Sequence, residues 1–104
     1  MKILLIEYSP VITNMITNIL TEDNIVKTTN GNIDIPSNTD LIIFDLQLIT
    51  ENILNSKIPS ILLCTGQDEI RRIYALEKAT AKMNYVVKPF TGEQLKDKIN
   101  SLFN

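Results

Sequence analysis

The run Leu41-Ile42-Ile43-Phe44, closed by Asp45, limits the fold more than any other stretch of the chain. Four consecutive apolar residues between Asp40 and Asp45 are too few for a helical face and read as a strand buried on both sides. The pattern returns three times: Ile3-Leu4-Leu5-Ile6 before Glu7, Ile61-Leu62-Leu63-Cys64 before Thr65, and Tyr85-Val86-Val87 before Lys88. Strands of this kind belong to parallel sheets covered by helices, where ligands bind beyond the carboxyl ends of the strands. Every run ends in a residue that can carry charge or donate a hydrogen bond, so the repetition predicts a polar rim along one edge of the sheet.

The segments between the runs carry helix signals. Ser9-Pro10 supplies a hydroxyl cap and a first-turn proline. Val11, Ile12, Met15, Ile16, Ile19 and Leu20 then recur at three and four residues, predicting an amphipathic helix that ends near Glu22. Ile25 to Thr29 reads as a short strand, closed by a turn at Asn30-Gly31. Asn32 to Thr39 contains Pro36 and no helical period, so an abbreviated second helix or an irregular link is expected, with Ile33 and Ile35 over the sheet. Thr50 to Lys57 has room for about two helical turns with Ile53 and Leu54 inward. Asp68 to Lys82 reads as a further helix burying Ile70, Ile73 and Leu76. The last helix opens at Phe90-Thr91-Gly92-Glu93-Gln94-Leu95, where Thr91 and Gln94 have capping-box spacing and Phe90 can staple against Leu95. Leu95, Ile99, Leu102 and Phe103 form its expected buried stripe. Alternating strands and helices predict one α/β domain over residues 1–104. Its sheet is doubly wound, parallel and five-stranded in the order 2-1-3-4-5, with helices 2 and 3 shortened.

With 104 residues the chain supports a single core. A net charge of -2 without histidine offers no basic field for direct contact with nucleic acid. No apolar stretch approaches a membrane span, and the amino terminus runs straight into a strand without a signal peptide, so the expected location is cytoplasmic. The single cysteine, Cys64, lies within an apolar run and reads as a small buried residue in a reducing compartment.

In the order 2-1-3-4-5, strands one and three are neighbours at the point where the chain reverses direction. Glu7 and Asp45 then face each other, with Thr65 and Lys88 on the next two strands. Two carboxylates, a hydroxyl and an ammonium suit a hard cation and a phosphoryl group. Here the chain resembles, over its whole length, the flavodoxin-like receiver domain of two-component response regulators. Leu41-Ile42-Ile43-Phe44-Asp45-Leu46 is similar to the family's phosphoacceptor strand, and Leu63-Cys64-Thr65-Gly66 to its hydroxyl-bearing strand. Tyr85-Val86-Val87-Lys88-Pro89-Phe90-Thr91 is similar to its fifth-strand signature.

The resemblance implies a regulatory phosphoprotein and not an enzyme. Asp45 accepts phosphate from a histidine kinase or phosphotransfer protein, and Lys88 and Thr65 bond the phosphoryl oxygens. Tyr85 is the aromatic switch that turns inward when Thr65 moves. Glu7, Asp45 and the main-chain carbonyl of Gln47 are the implied magnesium ligands, and the Lys88–Pro89 peptide is expected to be cis. Arg71 and Arg72, next to Tyr85, fall on the face that meets a downstream target or a second copy.

The departure is at Tyr8, where the family has a second acid that ligates the metal. Magnesium is then held weakly by Glu7 and Asp45, or not at all, and Lys88 is left to neutralise Asp45 directly. A phosphorylation-independent pseudo-receiver that acts as a protein–protein interaction module is the alternative to a working receiver. A small flavin- or nucleotide-binding protein shares the fold, but Gly31, Gly66 and Gly92 form no phosphate-cradling loop. The short middle of the chain further predicts an apolar face around Ile33, Ile35, Ile49 and Ile53, free for a partner or dimer.

Overall fold

The apolar runs become strands β1 (Lys2–Ile6), β3 (Leu41–Asp45), β4 (Ser60–Cys64) and β5 (Asn84–Val87), joined at one edge by β2 (Asn24–Thr28). They are seen in a computed structural model that describes residues 1–66, 71 and 84–103. The sheet has the order β2-β1-β3-β4-β5 with every pairing parallel, as expected.

Side chains alternate across it with period two. Ile3, Leu5, Ile43 and Leu63 share one core with Ile16, Leu95 and Ile99, whereas Leu4, Ile6, Ile42, Phe44 and Leu62 share the other with Leu46 and Ile53. All five residues of β3 are buried, because this central strand has a neighbour on each edge and a core on each face. Burying one such Leu or Ile stabilises the fold by about 1.5–3 kcal/mol, so β3 is the strand the fold can least do without.

Helix α1 (Pro10–Ile19) starts where the Ser9 hydroxyl accepts the Ile12 N–H at 3.4 Å. It stops short of the expected Glu22, because Leu20 leaves helical backbone at φ -105° and ψ 55° and is itself buried. The last helix described, α3 (Gly92–Phe103), opens on the predicted reciprocal cap. The Thr91 hydroxyl accepts the Gln94 N–H at 3.1 Å, and Gln94 Oε1 accepts the Thr91 N–H at 2.9 Å. Phe90 and Leu95 are buried in one cluster. Phe103, expected in the buried stripe, is 46% exposed, and Val11 is 74% exposed, both in terminal turns of their helices.

The middle of the chain departs furthest from expectation. Of the two alternatives for the second connection, the irregular link is the one found. Residues 29–40 run irregularly, with Pro36 in their path and Asn38 left-handed at φ 66°. The predicted two turns after Thr50 shrink to one, α2 (Glu51–Leu54). The Thr50 hydroxyl donates to the Gly31 carbonyl at 2.8 Å and so does not cap the helix, and the Ser56 hydroxyl accepts the Ile58 N–H, turning the chain toward β4.

Ile33 and Ile35 do pack over the sheet, with Ile49 and the buried Ile53 on the same cluster. The free apolar face expected there is therefore corrected: the chain covers it with its own segment. The expected helix over 68–82, with Ile70, Arg72, Ile73 and Leu76, lies outside the described residues.

One glycine fixes this covering segment. Gly31 is buried, and a Cβ built on it would stand 2.1 Å from the Leu48 carbonyl oxygen and 2.9 Å from the Thr50 methyl. Because the first obstacle is backbone, Gly31→Ala is expected to destabilise the domain by about 1–3 kcal/mol, the usual cost of overpacking. Urea unfolding checks this; an unchanged midpoint would show that the two segments are not in fixed contact.

Candidate functional site

The sheet ladder continues one residue beyond the strand ends, and this builds the site. Past β1, the Glu7 N–H donates to the Thr28 carbonyl at 3.1 Å; past β5, the Lys88 N–H donates to the Cys64 carbonyl at 2.7 Å. Ile6 is paired with Phe44 and Cys64 with Val87. Glu7, Asp45, Thr65 and Lys88 therefore follow one another across four adjacent strands. By alternation their side chains leave the sheet on the same side.

Three of the four meet. Lys88 Nζ donates to Asp45 Oδ2 at 2.7 Å and to Glu7 Oε1 at 2.8 Å. The side chains are 9%, 4% and 0% exposed for Lys88, Asp45 and Glu7, so both ion pairs are withdrawn from water. Asp45 Oδ1 accepts the Gln47 N–H at 2.8 Å, capping the single 3-10 turn Leu46–Leu48. Both Asp45 oxygens are thus engaged. Glu7 Oε2 is buried with no hydrogen-bond partner among the described residues.

The electrostatics follow from that asymmetry. Burial pushes the Glu7 carboxyl above the ordinary range, and the hydrogen bond from Lys88 offsets only part of it. Burial also opposes the Lys88 charge, but the hydrogen bonds to Asp45 and Glu7 outweigh it and raise the lysine above its usual value. The two directions agree once the charges are counted. One ammonium faces two carboxylates, and it leaves one oxygen of Glu7 buried and unpaired.

The lysine–aspartate pair expected from the sequence is present. The share Glu7 takes in it was not foreseen, because a lysine's reach past the nearer strand has no signature in local sequence. Tyr8, which follows Glu7, is 56% exposed, and the Lys88 ammonium lies 5.7 Å from its ring centroid, within cation–π range. Thr65 is exposed at the end of β4. Tyr85 is half-buried against the cluster of Phe44 and Leu62. Arg71 is exposed, and Arg72 lies outside the described residues.

Magnesium was expected to be held weakly or not at all, and the donor set does not fit it in this arrangement. The ion takes an octahedron of oxygens at short range. Three of the four carboxylate oxygens of Glu7 and Asp45 are already engaged by Lys88 or the Gln47 amide. No group of three acidic, histidine or cysteine ligands occurs among the described residues.

Removing the lysine should expose its role. Lys88→Met leaves two buried carboxylates without a counter-ion, and the domain is expected to lose about 3–5 kcal/mol at neutral pH. The loss should shrink as pH falls and the Glu7 carboxyl, raised by burial, takes up its proton. In the unmodified protein the raised lysine pKa works in the other direction. Its contribution is intact below the pKa of a free lysine and is lost as pH rises through the folded value. Urea midpoints for both proteins across pH measure this; a pH-independent difference between them would contradict it.

No protein-family model matches the chain, and no curated protein sequence matches it. Solved structures do. The chemotaxis response regulator CheY4 of Vibrio cholerae superposes with a TM-score of 0.78 at 19% identity, covering 97% of each chain. The ChxR receiver domain from Chlamydia trachomatis gives 0.69 at 17% identity over 99% of this chain and 98% of that one. A response regulator receiver domain protein from Clostridium thermocellum gives 0.71 at 21%, over 96% and 91%. With the strand order and rim described above, the chain has the fold of response-regulator receiver domains.

Proposed function

We propose that this chain is a receiver-like regulatory domain of two-component signalling that acts by binding a protein partner, without routine phosphotransfer to Asp45. One observation carries the reading: a single buried ammonium bridges the two carboxylates of the rim. Asp45 is 3% exposed with both oxygens engaged, so an incoming phosphoryl group would have to break a buried ion pair before it could bond. Tyr8 stands where a further acid would be needed to draw in a cation. The receiver fold supports the signalling context.

A second reading is favoured by the retention of Asp45, Thr65 and Lys88 at the ends of three adjacent strands. In it, an Asp45 oxygen attacks the phosphorus of a phosphohistidine on a histidine kinase or phosphotransfer protein, and the histidine nitrogen leaves. Lys88 then pairs with the phosphoryl oxygens, and Thr65 and Tyr85 rearrange toward them. The partner face read from the sequence, Arg71, Arg72 and Tyr85, then meets the downstream target or a second copy.

Acetyl phosphate with magnesium separates the two. The first reading expects no phosphate adduct in the intact mass and no resonance shifts around Asp45 when beryllofluoride replaces the donor. An adduct that disappears in Asp45→Asn, or a saturable shift around Asp45 that needs beryllofluoride and is not given by magnesium alone, would overturn it and establish the second.

A further inference from the structure

We propose that Lys88 is the resident cation of this site, and that Tyr8 is the positioning residue that keeps it between Glu7 and Asp45. A divalent ion is therefore excluded by the chain's own ammonium. The inference extends the reading of the rim as self-neutralised. Its test uses no phosphodonor and no partner, so its outcome is separate from that of the phosphorylation experiment.

The geometry carries it through three observations. First, the ammonium sits where the charge of a shared cation would fall. It is 2.7 Å from an oxygen of one carboxylate and 2.8 Å from an oxygen of the other, and its side chain is only 9% exposed. Any metal drawn to this pair must first displace the lysine, at the cost of a broken buried ion pair.

Second, the site's charge count falls short of a divalent ion's needs. Two carboxylates and one ammonium leave a single net negative charge, and the residue that follows Glu7 adds an aromatic ring to the rim. Third, that ring holds the lysine in place. The ammonium lies 5.7 Å from the Tyr8 centroid, so the negative face of the ring stabilises the charge from the solvent side while the carboxylates hold it from within. Tyr8 is 56% exposed, so the apolar core does not require a large residue at this position.

The roles of the two residues can be read apart. Manganese line broadening, magnesium titration and the side-chain ammonium resonance of Lys88 are measured by NMR on the full chain. The unmodified protein, Tyr8→Asp, Tyr8→Asn, Tyr8→Leu and Tyr8→Phe are compared. The unmodified protein and Tyr8→Phe should show no saturable metal binding in the millimolar range and a slowly exchanging, protected Lys88 ammonium.

Tyr8→Asp should bind magnesium at least about tenfold more tightly, the scale on which ligand charge tunes such sites, and should release Lys88 as metal is added. Tyr8→Leu should speed exchange of the Lys88 ammonium without creating a metal site. Tyr8→Asn, which adds an oxygen without a charge, takes the place of Tyr8→Asp if that variant does not fold, with tighter magnesium binding as the expected direction.

Saturable metal binding by the unmodified protein as tight as in Tyr8→Asp would overturn the resident-cation assignment. A Lys88 resonance identical in the unmodified protein and Tyr8→Leu would overturn the role given to Tyr8.

Discussion

The rim of this domain depends on one constraint: two carboxylates buried on neighbouring strands cannot both stay charged without a cation between them. Lys88 supplies that cation from the far side of the intervening strand, β4. It therefore ties the ends of β1, β3 and β5 together where the sheet's own ladder has run out. The interaction's net contribution to folding is modest when compared with an apolar replacement, because desolvation cancels much of the attraction. What it fixes is arrangement. With the lysine in place, the direction of Asp45, the capped turn at Leu46–Leu48 and the closeness of Tyr8 all follow.

Much of this was written into short apolar runs. A strand buried on both faces needs no partner polarity to declare itself, so Leu41–Phe44 and its three counterparts could be read directly. Their polar terminators predicted which rim would carry chemistry. The reciprocal cap at Thr91 and Gln94 was equally legible, because its chemistry lies within four residues of sequence.

What escaped the sequence was decided over long range. The Thr50 hydroxyl could have capped a longer helix, but a carbonyl 19 positions away takes it instead. The cover over residues 29–40 has no period to detect, because its fit depends on clearance between backbones and not on a repeating face. Glu7's share of Lys88 belongs to the same class, since the two residues are 81 positions apart. Val11 and Phe103 mark the other limit, in that a helical stripe read from sequence has no way to record where the sheet beneath it stops.

The irregular segment over the second core is fastened in an unusual direction. Its own main-chain carbonyls act as the anchors: Gly31, Ile33 and Ser37 accept from Thr50, Asn52 and Lys2, all donors located elsewhere in the chain. Apart from Gly31 and the left-handed Asn38, the attachment is blind to which side chains the segment carries outward at Asn32, Asp34 and Ser37. That stretch is a platform whose lettering can be rewritten without loosening its bolts, and so a place where closely similar domains could diverge in whom they recognise while keeping one architecture.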